Sequence, residues 1–171
     1  MTKDTIYQNI TPSADFTFNA GVADVFDDML QRSVPCYRQV IDMVAALLAR
    51  FVNQGETICD LGCSTGTTLM ELSRLLASFD LNFVGIDNSA PMIDKAELKA
   101  RMLSRTDRVH FIHGDIAEID LPPCRAFIVN YTLQFIRPII RKKFLSRLYH
   151  ALLPGGVVII SEKIISHDPL L

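Results

Sequence analysis

The segment from Ile58 to Gly66 constrains the fold of this chain more than any other part; it reads Ile-Cys-Asp-Leu-Gly-Cys-Ser-Thr-Gly. Its apolar start predicts a buried strand, and its glycines predict a tight turn that opens a helix. Gly62 and Gly66 tolerate positive backbone torsions and the close approach of another group. The segment therefore predicts a strand, a turn against which a ligand can lie, and a helix.

The polar residues of this turn favour a cationic ligand over a dinucleotide. A dinucleotide fingerprint has three glycines as G-x-G-x-x-G, whereas Ser64 occupies the middle glycine position here. The carboxylate of Asp60, just before the turn, would repel a pyrophosphate and attract a cation. The sulfonium and ammonium of S-adenosylmethionine meet that requirement. The alternative is an ordinary strand-to-helix turn that binds nothing.

A second acid follows the next predicted strand. Asp87 ends strand 82–87, where an acid can accept two hydrogen bonds from a ribose diol. The alternative is that this segment only starts a helix, with Asn88 or Ser89 as its N-cap ahead of Pro91. Both interpretations can hold together.

Two later strands also end in polar residues. Asp115 and Ile116 follow strand 108–113, where the carboxylate would take the exocyclic amine of adenine and Ile116 would lie on the ring. Asn130 ends strand 125–130. Because ligands of open α/β sheets bind outside the carboxyl ends of the strands, Asn130 should face the same crevice as Gly62 and Asp87. Such convergence is harder to explain as packing than any single residue.

The order of predicted elements indicates an α/β fold. Helices at 22–31 and 35–52 should lie over the sheet edge, and strands then alternate with helices. The predicted elements are strand 56–61, helix 65–79, strand 82–87, helix 90–104, strand 108–113, strand 125–130, helix 138–152 and strand 156–162. This alternation predicts a mainly parallel sheet with helices on both faces. We expect one domain over residues 1–171, with a helical lead-in at 1–54 and an α/β core at 55–171.

Composition excludes several classes of protein. Hydrophobic residues make up 49% of the 171 residues and charged residues 21%, as in globular proteins. No apolar run reaches the roughly 20 residues that span a bilayer, and the N-terminus does not resemble a signal peptide, so we expect a cytoplasmic protein without membrane contact. His110 and His113 lack partners at ligand spacing, so we expect no metal.

The net charge and the positions of the cysteines give two further expectations. The formal net charge of −2 predicts no direct nucleic-acid binding, and the basic residues between Arg137 and Arg147 have the spacing of a solvated helix face. The four cysteines form no C-x-x-C pair and are expected to be reduced core thiols. They are Cys36, Cys59, Cys63 and Cys124.

The series of short motifs resembles that of the carboxy-S-adenosyl-L-methionine synthase family, within the class I S-adenosylmethionine-dependent methyltransferase superfamily. The resemblance covers nearly the whole chain and is narrower than the general methyltransferase pattern. The motifs that carry it are Phe16-Thr17-Phe18, Val22 to Phe26, Arg32 to Tyr37, Asp60 to Ser64, Ile86 to Ile93, Gly114-Asp115-Ile116, Asn130 to Phe135, Pro154-Gly155-Gly156 and Ser161-Glu162-Lys163.

The resemblance implies a Rossmann-like class I methyltransferase fold and an unusual reaction. Members carry a carboxyl group from prephenate to the methyl carbon of S-adenosylmethionine, forming carboxy-S-adenosylmethionine and releasing phenylpyruvate. A separate enzyme uses the product for the 5-oxyacetyl modification of wobble uridine in tRNA. We accordingly expect prephenate as substrate, S-adenosylmethionine or the carboxylated product as bound cofactor, and a homodimer.

Motif matching also implies the residues that bind the cofactor. Tyr37 would contact it, Gly62, Cys63 and Ser64 would form its loop, and Asn130 would approach the sulfonium. Asp87 and Asn88 would hold the ribose and neighbouring groups, and Asp115 and Ile116 the adenine. No catalytic residue follows from the match.

Departures from the family pattern leave alternatives open. Phe16 stands in place of tryptophan, and Cys36 in place of a glycine, which could shift Tyr37. Members continue beyond Leu171 with two last strands and an arginine that pairs with the new carboxylate, so strand 156–162 would be an apolar sheet edge. We therefore expect a shortened chain that makes product slowly or not at all. The alternatives are an ordinary methyltransferase of a small molecule or RNA, and an inactive cofactor-binding fragment.

Overall fold

The structure is a computed structural model that describes residues 18–164; the Phe16 position lies outside the described residues. The helices are α1 Ala20–Ser33, α2 Tyr37–Leu48, α3 Thr67–Leu75, α4 Ala90–Met102 and α5 Pro138–Ala151. The strands are β1 Thr57–Leu61, β2 Asn82–Asp87, β3 Val109–His113, β4 Cys124–Asn130 and β5 Leu152–Ser161. No helix among these residues is long and apolar enough to cross a membrane.

The five strands form one sheet in the order β3-β2-β1-β4-β5, and every neighbouring pair is parallel. The predicted parallel α/β fold is therefore confirmed. All five carboxyl ends lie at one edge of the sheet, and the strand order reverses between β1 and β4. Ligands of open α/β sheets bind at such a switch point.

Helices cover both faces of this sheet. On one face Val44 and Leu48 of α2 pack with Ile58 of β1 and Ile128 of β4. On the opposite face Phe144 and Leu148 of α5 belong to a separate apolar cluster, together with Cys59, Phe127 and Val129. The apolar stripe of the helix predicted at 35–52 is thus part of the first cluster, and its position over the sheet edge stays a prediction.

Several element bounds differ from the predicted ones. α3 begins at Thr67 because Gly66 has a left-handed backbone, with φ of 73°. The strand predicted at 156–162 begins at Leu152, where α5 ends. The register of β4 and β5 shifts between Cys124 and Ala126. Arg125 donates a hydrogen bond to the Pro154 carbonyl at 2.6 Å, and this contact holds the early part of β5 beside β4.

The link between α1 and α2 explains one departure from the family pattern. Cys36 has φ of 56° and ψ of 26°, a left-handed conformation that glycine adopts without strain. The expectation of four core thiols is therefore wrong for Cys36, which is exposed, while Cys59, Cys63 and Cys124 are buried. Tyr37 follows this strained residue and begins α2.

We predict that Cys36→Gly stabilises the protein by about 1 kcal/mol, since a side chain in the left-handed region costs roughly 1–2 kcal/mol and the exposed thiol packs against little. Thermal unfolding would measure the change. Cys36→Ala is the matched control, because it removes the thiol and keeps the strain. A Cys36→Gly variant no more stable than Cys36→Ala would contradict the backbone explanation.

Candidate functional site

A cavity of about 920 Å³ opens at the carboxyl ends of the strands, within the size range of small-molecule sites. α1 and the residues after it form one wall. All nine residues predicted to bind the cofactor line this cavity, although their contacts with a ligand stay a prediction. They are Tyr37, Gly62, Cys63, Ser64, Asp87, Asn88, Asp115, Ile116 and Asn130.

The turn after β1 is held against β2 by backbone hydrogen bonds. The Gly62 and Cys63 N–H groups both donate to the Ile86 carbonyl, at 2.8 and 3.1 Å. Gly62 has φ of 77°, and Ser64 is left-handed with φ of 49°. A Cβ on Gly62 would lie 2.5 Å from the side chain of Thr132. The close approach that requires this glycine is therefore made by the segment after β4.

Asp87 ties the turn after β1 to the start of α4. One carboxylate oxygen accepts the Ser64 N–H at 2.9 Å, and the other accepts the Ser89 N–H at 2.9 Å. Ser89 is the N-cap of α4 and accepts from Met92 N–H. Of the two candidate caps, Ser89 is thus the right one. Each Asp87 oxygen keeps a lone pair for a ligand hydroxyl, so the ribose assignment remains compatible with the bridge.

The loop after β3 is held by hydrogen bonds from Arg147 of α5. The Asp115 carboxylate accepts the Ala117 N–H at 2.8 Å, and Ile116 is 8% exposed. The Arg147 guanidinium donates to the carbonyls of Ile116, Ala117 and Ile119. The prediction of a solvated basic helix face is therefore wrong for Arg147. It is also wrong for Arg141, which donates to the Ile136 carbonyl at 2.8 Å.

Asn130, at the end of β4, carries the clearest sign of a ligand. Both atoms of its side-chain amide are buried, and neither has a hydrogen-bond partner among the described residues. Leaving such a group unpaired costs about 1–3 kcal/mol. Because Asn130 lines the cavity, a bound molecule with both a donor and an acceptor would remove this cost.

Burial raises the pKa of Asp60 and of Asp87, which both line the cavity. Asp60 is 2% exposed, and burial together with the nearby Asp87 carboxylate raises its pKa to about 7. Burial also raises the pKa of Asp87, opposed by its hydrogen bonds from Ser89 and Ser64. Burial raises the pKa of Tyr37 to about 12, so its hydroxyl stays protonated at neutral pH. A cationic ligand would relieve the repulsion between the two carboxylates.

A family model and two relatives with similar sequences identify the family of this chain. A family model described as a methyltransferase domain matches residues 58–156. A carboxy-S-adenosyl-L-methionine synthase from Desulfotalea psychrophila is 52% identical over 97% of this chain and 68% of its own length. One from Campylobacter jejuni is 39% identical over 99% of this chain and 70% of its own length. The chain belongs to the carboxy-S-adenosyl-L-methionine synthase family. It is therefore a transferase.

Solved structures agree with this assignment of fold. A putative S-adenosyl-L-methionine-dependent methyltransferase from Methanococcus maripaludis has a TM-score of 0.71 at 18% identity, over 88% of this chain and 66% of its own. A methyltransferase from Geobacter sulfurreducens, in complex with S-adenosyl-L-homocysteine, has a TM-score of 0.59 at 25% identity, over 80% of this chain and 54% of its own. The class I methyltransferase fold is thus confirmed.

The residues present fit S-adenosylmethionine. The cavity offers carboxylates for its cationic groups and hydroxyls, and the unpaired Asn130 amide for a polar group. Within residues 18–164, no group of three or more histidine, cysteine, aspartate or glutamate side chains could hold a metal ion.

A polar network that the sequence did not reveal connects α1 to the turn after β1. Asp27 of α1 accepts hydrogen bonds from the Thr65 and Thr67 hydroxyls, each at 2.7 Å. Lys99 of α4 forms an ion pair with Asp27 at 2.5 Å and donates to both hydroxyls, at 2.9 and 2.8 Å. Four elements thus meet at one carboxylate. Thr65 follows Ser64, whose N–H is bound to Asp87, so the network supports the turn after β1.

The pKa of Asp27 shows that its charged and hydrogen-bonded partners outweigh the effect of burial. Burial opposes its ionised form, but Lys99 and the two hydroxyls outweigh burial and lower the pKa below its ordinary value of 3.8. For Lys99, burial lowers the pKa although Asp27 opposes the shift. Because the folded pKa of Asp27 lies below 3.8, the network contributes stability above that pH and loses it as pH falls through the folded pKa.

We predict that Asp27→Asn lowers the free energy of unfolding at neutral pH by about 3 kcal/mol, because it leaves the half-buried Lys99 without its counter-ion. Chemical denaturation would measure this loss, which should shrink as the pH falls below the folded pKa of Asp27. The double variant Asp27→Asn with Lys99→Met is the control and should recover most of the stability. Equal stability of Asp27→Asn and the natural chain would rule out a structural role for the pair.

Proposed function

We propose that this protein forms carboxy-S-adenosylmethionine from S-adenosylmethionine and prephenate, for the wobble-uridine modification of tRNA. The observation that carries the proposal is the convergence of all nine predicted residues on one cavity, in a chain of this family. We further propose that it works in the cytoplasm as a homodimer, without a metal and without direct contact with nucleic acid or membrane. The net charge of −2 supports the absence of nucleic-acid contact.

The proposal assigns a role to each part of the cavity. Asp87 and Asn88 would hold the ribose, and Asp115 and Ile116 the adenine. Gly62, Cys63 and Ser64 would lie along the amino-acid portion, beside Tyr37. The unpaired amide of Asn130 would satisfy a polar group near the sulfonium. Asp60, buried between Tyr37 and Asp87, would complement the positive charge.

When bound, S-adenosylmethionine supplies a methyl carbon that is acidified by the neighbouring sulfonium. The carbon dioxide lost from prephenate ends on that carbon, and the hydroxide lost from prephenate leaves with the methyl proton as water. Phenylpyruvate is the remaining product. Among the residues that line the cavity, Tyr37 stays protonated because burial raises its pKa to about 12, so at neutral pH it can donate a hydrogen bond but cannot act as a base. The protein would contribute positioning, electrostatic stabilisation and exclusion of water.

We predict that S-adenosylmethionine is converted only when prephenate is present, with one phenylpyruvate formed for each carboxylated product. Mass spectrometry would identify the product, which is heavier than S-adenosylmethionine by one carbon dioxide. The matched control is Asp87→Asn, which keeps the backbone contacts of one oxygen but weakens binding of the ribose. Methyl transfer to RNA or a small molecule without prephenate would instead show an ordinary methyltransferase.

We also predict that binding of S-adenosylmethionine strengthens as pH rises towards and past about 7, because a cation prefers the ionised form of Asp60 and its free pKa is about 7. Well below that pH, affinity should change by up to about tenfold per pH unit. S-adenosylhomocysteine, which lacks the sulfonium, should show a smaller dependence.

Isothermal calorimetry with both ligands, at constant ionic strength, would measure this difference. Asp60→Asn cannot ionise, and its ratio of the two affinities should be independent of pH. A natural protein whose ratio of affinities stays constant between about pH 6 and about pH 8 would refute the role of Asp60.

A further inference from the structure

The charged residues that line the cavity are divided between its two sides. Asp115 follows β3, Asp87 ends β2, and Asp60 lies in β1. Arg137 follows β4, and Lys163 follows β5. In the sheet order β3-β2-β1-β4-β5, the three acids therefore come from one half and the two cations from the other. The charged side chains that line the cavity therefore change from acidic to basic between β1 and β4.

Among the described residues, Arg137 and Lys163 do not stabilise the fold through ion pairs. Elsewhere, the guanidinium of Arg147 and the ammonium of Lys99 are half-buried and bound to named partners. Within residues 18–164, neither Arg137 nor Lys163 forms an ion pair with a carboxylate, and both side chains are exposed at the cavity. Their charges are free to meet an anionic ligand.

An independent observation marks the boundary between the two halves. Asn130, at the end of β4, keeps both amide atoms buried and unpaired. It lies in sequence between the acidic strands and Arg137, and it lines the same cavity. A ligand on the acidic side can satisfy one of its atoms, and a second ligand on the basic side can satisfy the other.

Apolar surface lies next to the two cations. Phe135 is 64% exposed and packs edge-on against Phe18, with ring centroids 5.6 Å apart. Ile140, in the first turn of α5, also lines the cavity. This side therefore combines an apolar wall with two positive charges. The matching ligand is a small carbocycle that bears two carboxylates.

We propose that Arg137 and Lys163 form the subsite for the dicarboxylate co-substrate and determine its selection over neutral or singly charged analogues. The inference rests on the proposed function, because prephenate is the dicarboxylate that the reaction requires. The acids of the opposite half repel a dianion, so co-substrate and cofactor are sorted by charge to opposite sides of Asn130.

The test compares Arg137→Gln and Lys163→Gln with the natural 171-residue chain. Lys143→Gln is the matched control, since Lys143 lies on α5 but outside this cavity. Both target side chains are exposed, so unfolding temperatures should stay unchanged. We expect the KM for prephenate to rise about fivefold in each single variant and about twentyfold in the double variant. The affinity for S-adenosylhomocysteine should stay within about twofold of the natural value.

Two measurements separate this inference from the proposed function. The first is prephenate-dependent turnover, and the second is calorimetric binding of prephenate to protein saturated with S-adenosylhomocysteine. Turnover with the same KM in both target variants as in Lys143→Gln would overturn the subsite and leave the function intact. Binding that both target substitutions weaken, in a chain without turnover, would support the subsite and count against the function. Absence of prephenate binding to the natural chain would overturn the subsite.

Discussion

The hydrogen bonds of the Asp87 carboxylate hold together the side of the cavity formed by β1, β2 and the start of α4. One oxygen fixes the Ser64 N–H in the turn after β1, and the other fixes the Ser89 N–H at the start of α4. Charge-assisted bonds of this kind are about twice as strong as neutral ones. The turn carries a left-handed Ser64, which costs energy in isolation, so the bond from Asp87 offsets part of that strain. The turn after β1 therefore depends on the same carboxylate that is predicted to bind the ligand.

This arrangement has an electrostatic cost that a cationic ligand can offset. Asp60 and Asp87 lie close enough to raise the pKa of Asp60, and burial raises the pKa of both. For a carboxyl whose folded pKa is raised, the folded state becomes less stable as pH rises from the unfolded pKa to the folded one. The free protein thus gives up stability at neutral pH to keep Asp60 buried, which is common at functional sites. A sulfonium or ammonium beside Asp60 would restore that lost stability.

The sequence predicted the parts of the site that depend on strand ends, and missed the parts that depend on helix packing. In a parallel sheet, topology alone brings Asp87, Asp115 and Asn130 to one edge, so their convergence followed from the order of elements. Asp27 and Arg147 lie on helices with no local motif. Asp27 is bound by Thr65 and Thr67, which lie 38 and 40 residues away in sequence, and Arg147 binds the Ile119 carbonyl, 28 residues away. Contacts across that separation depend on how helices pack, which periodicity does not reveal.

Gly62 shows how a residue without a side chain allows two segments that line the cavity to meet. A side chain there would collide with Thr132, whose hydroxyl in turn donates to the Asn130 carbonyl at 3.0 Å. The segment after β4 can therefore approach the turn after β1 only because position 62 lacks a Cβ. Displacing Thr132 would move the end of β4, where the unpaired Asn130 amide faces the cavity. Gly62 consequently affects the position of Asn130 through Thr132, although it has no side chain of its own.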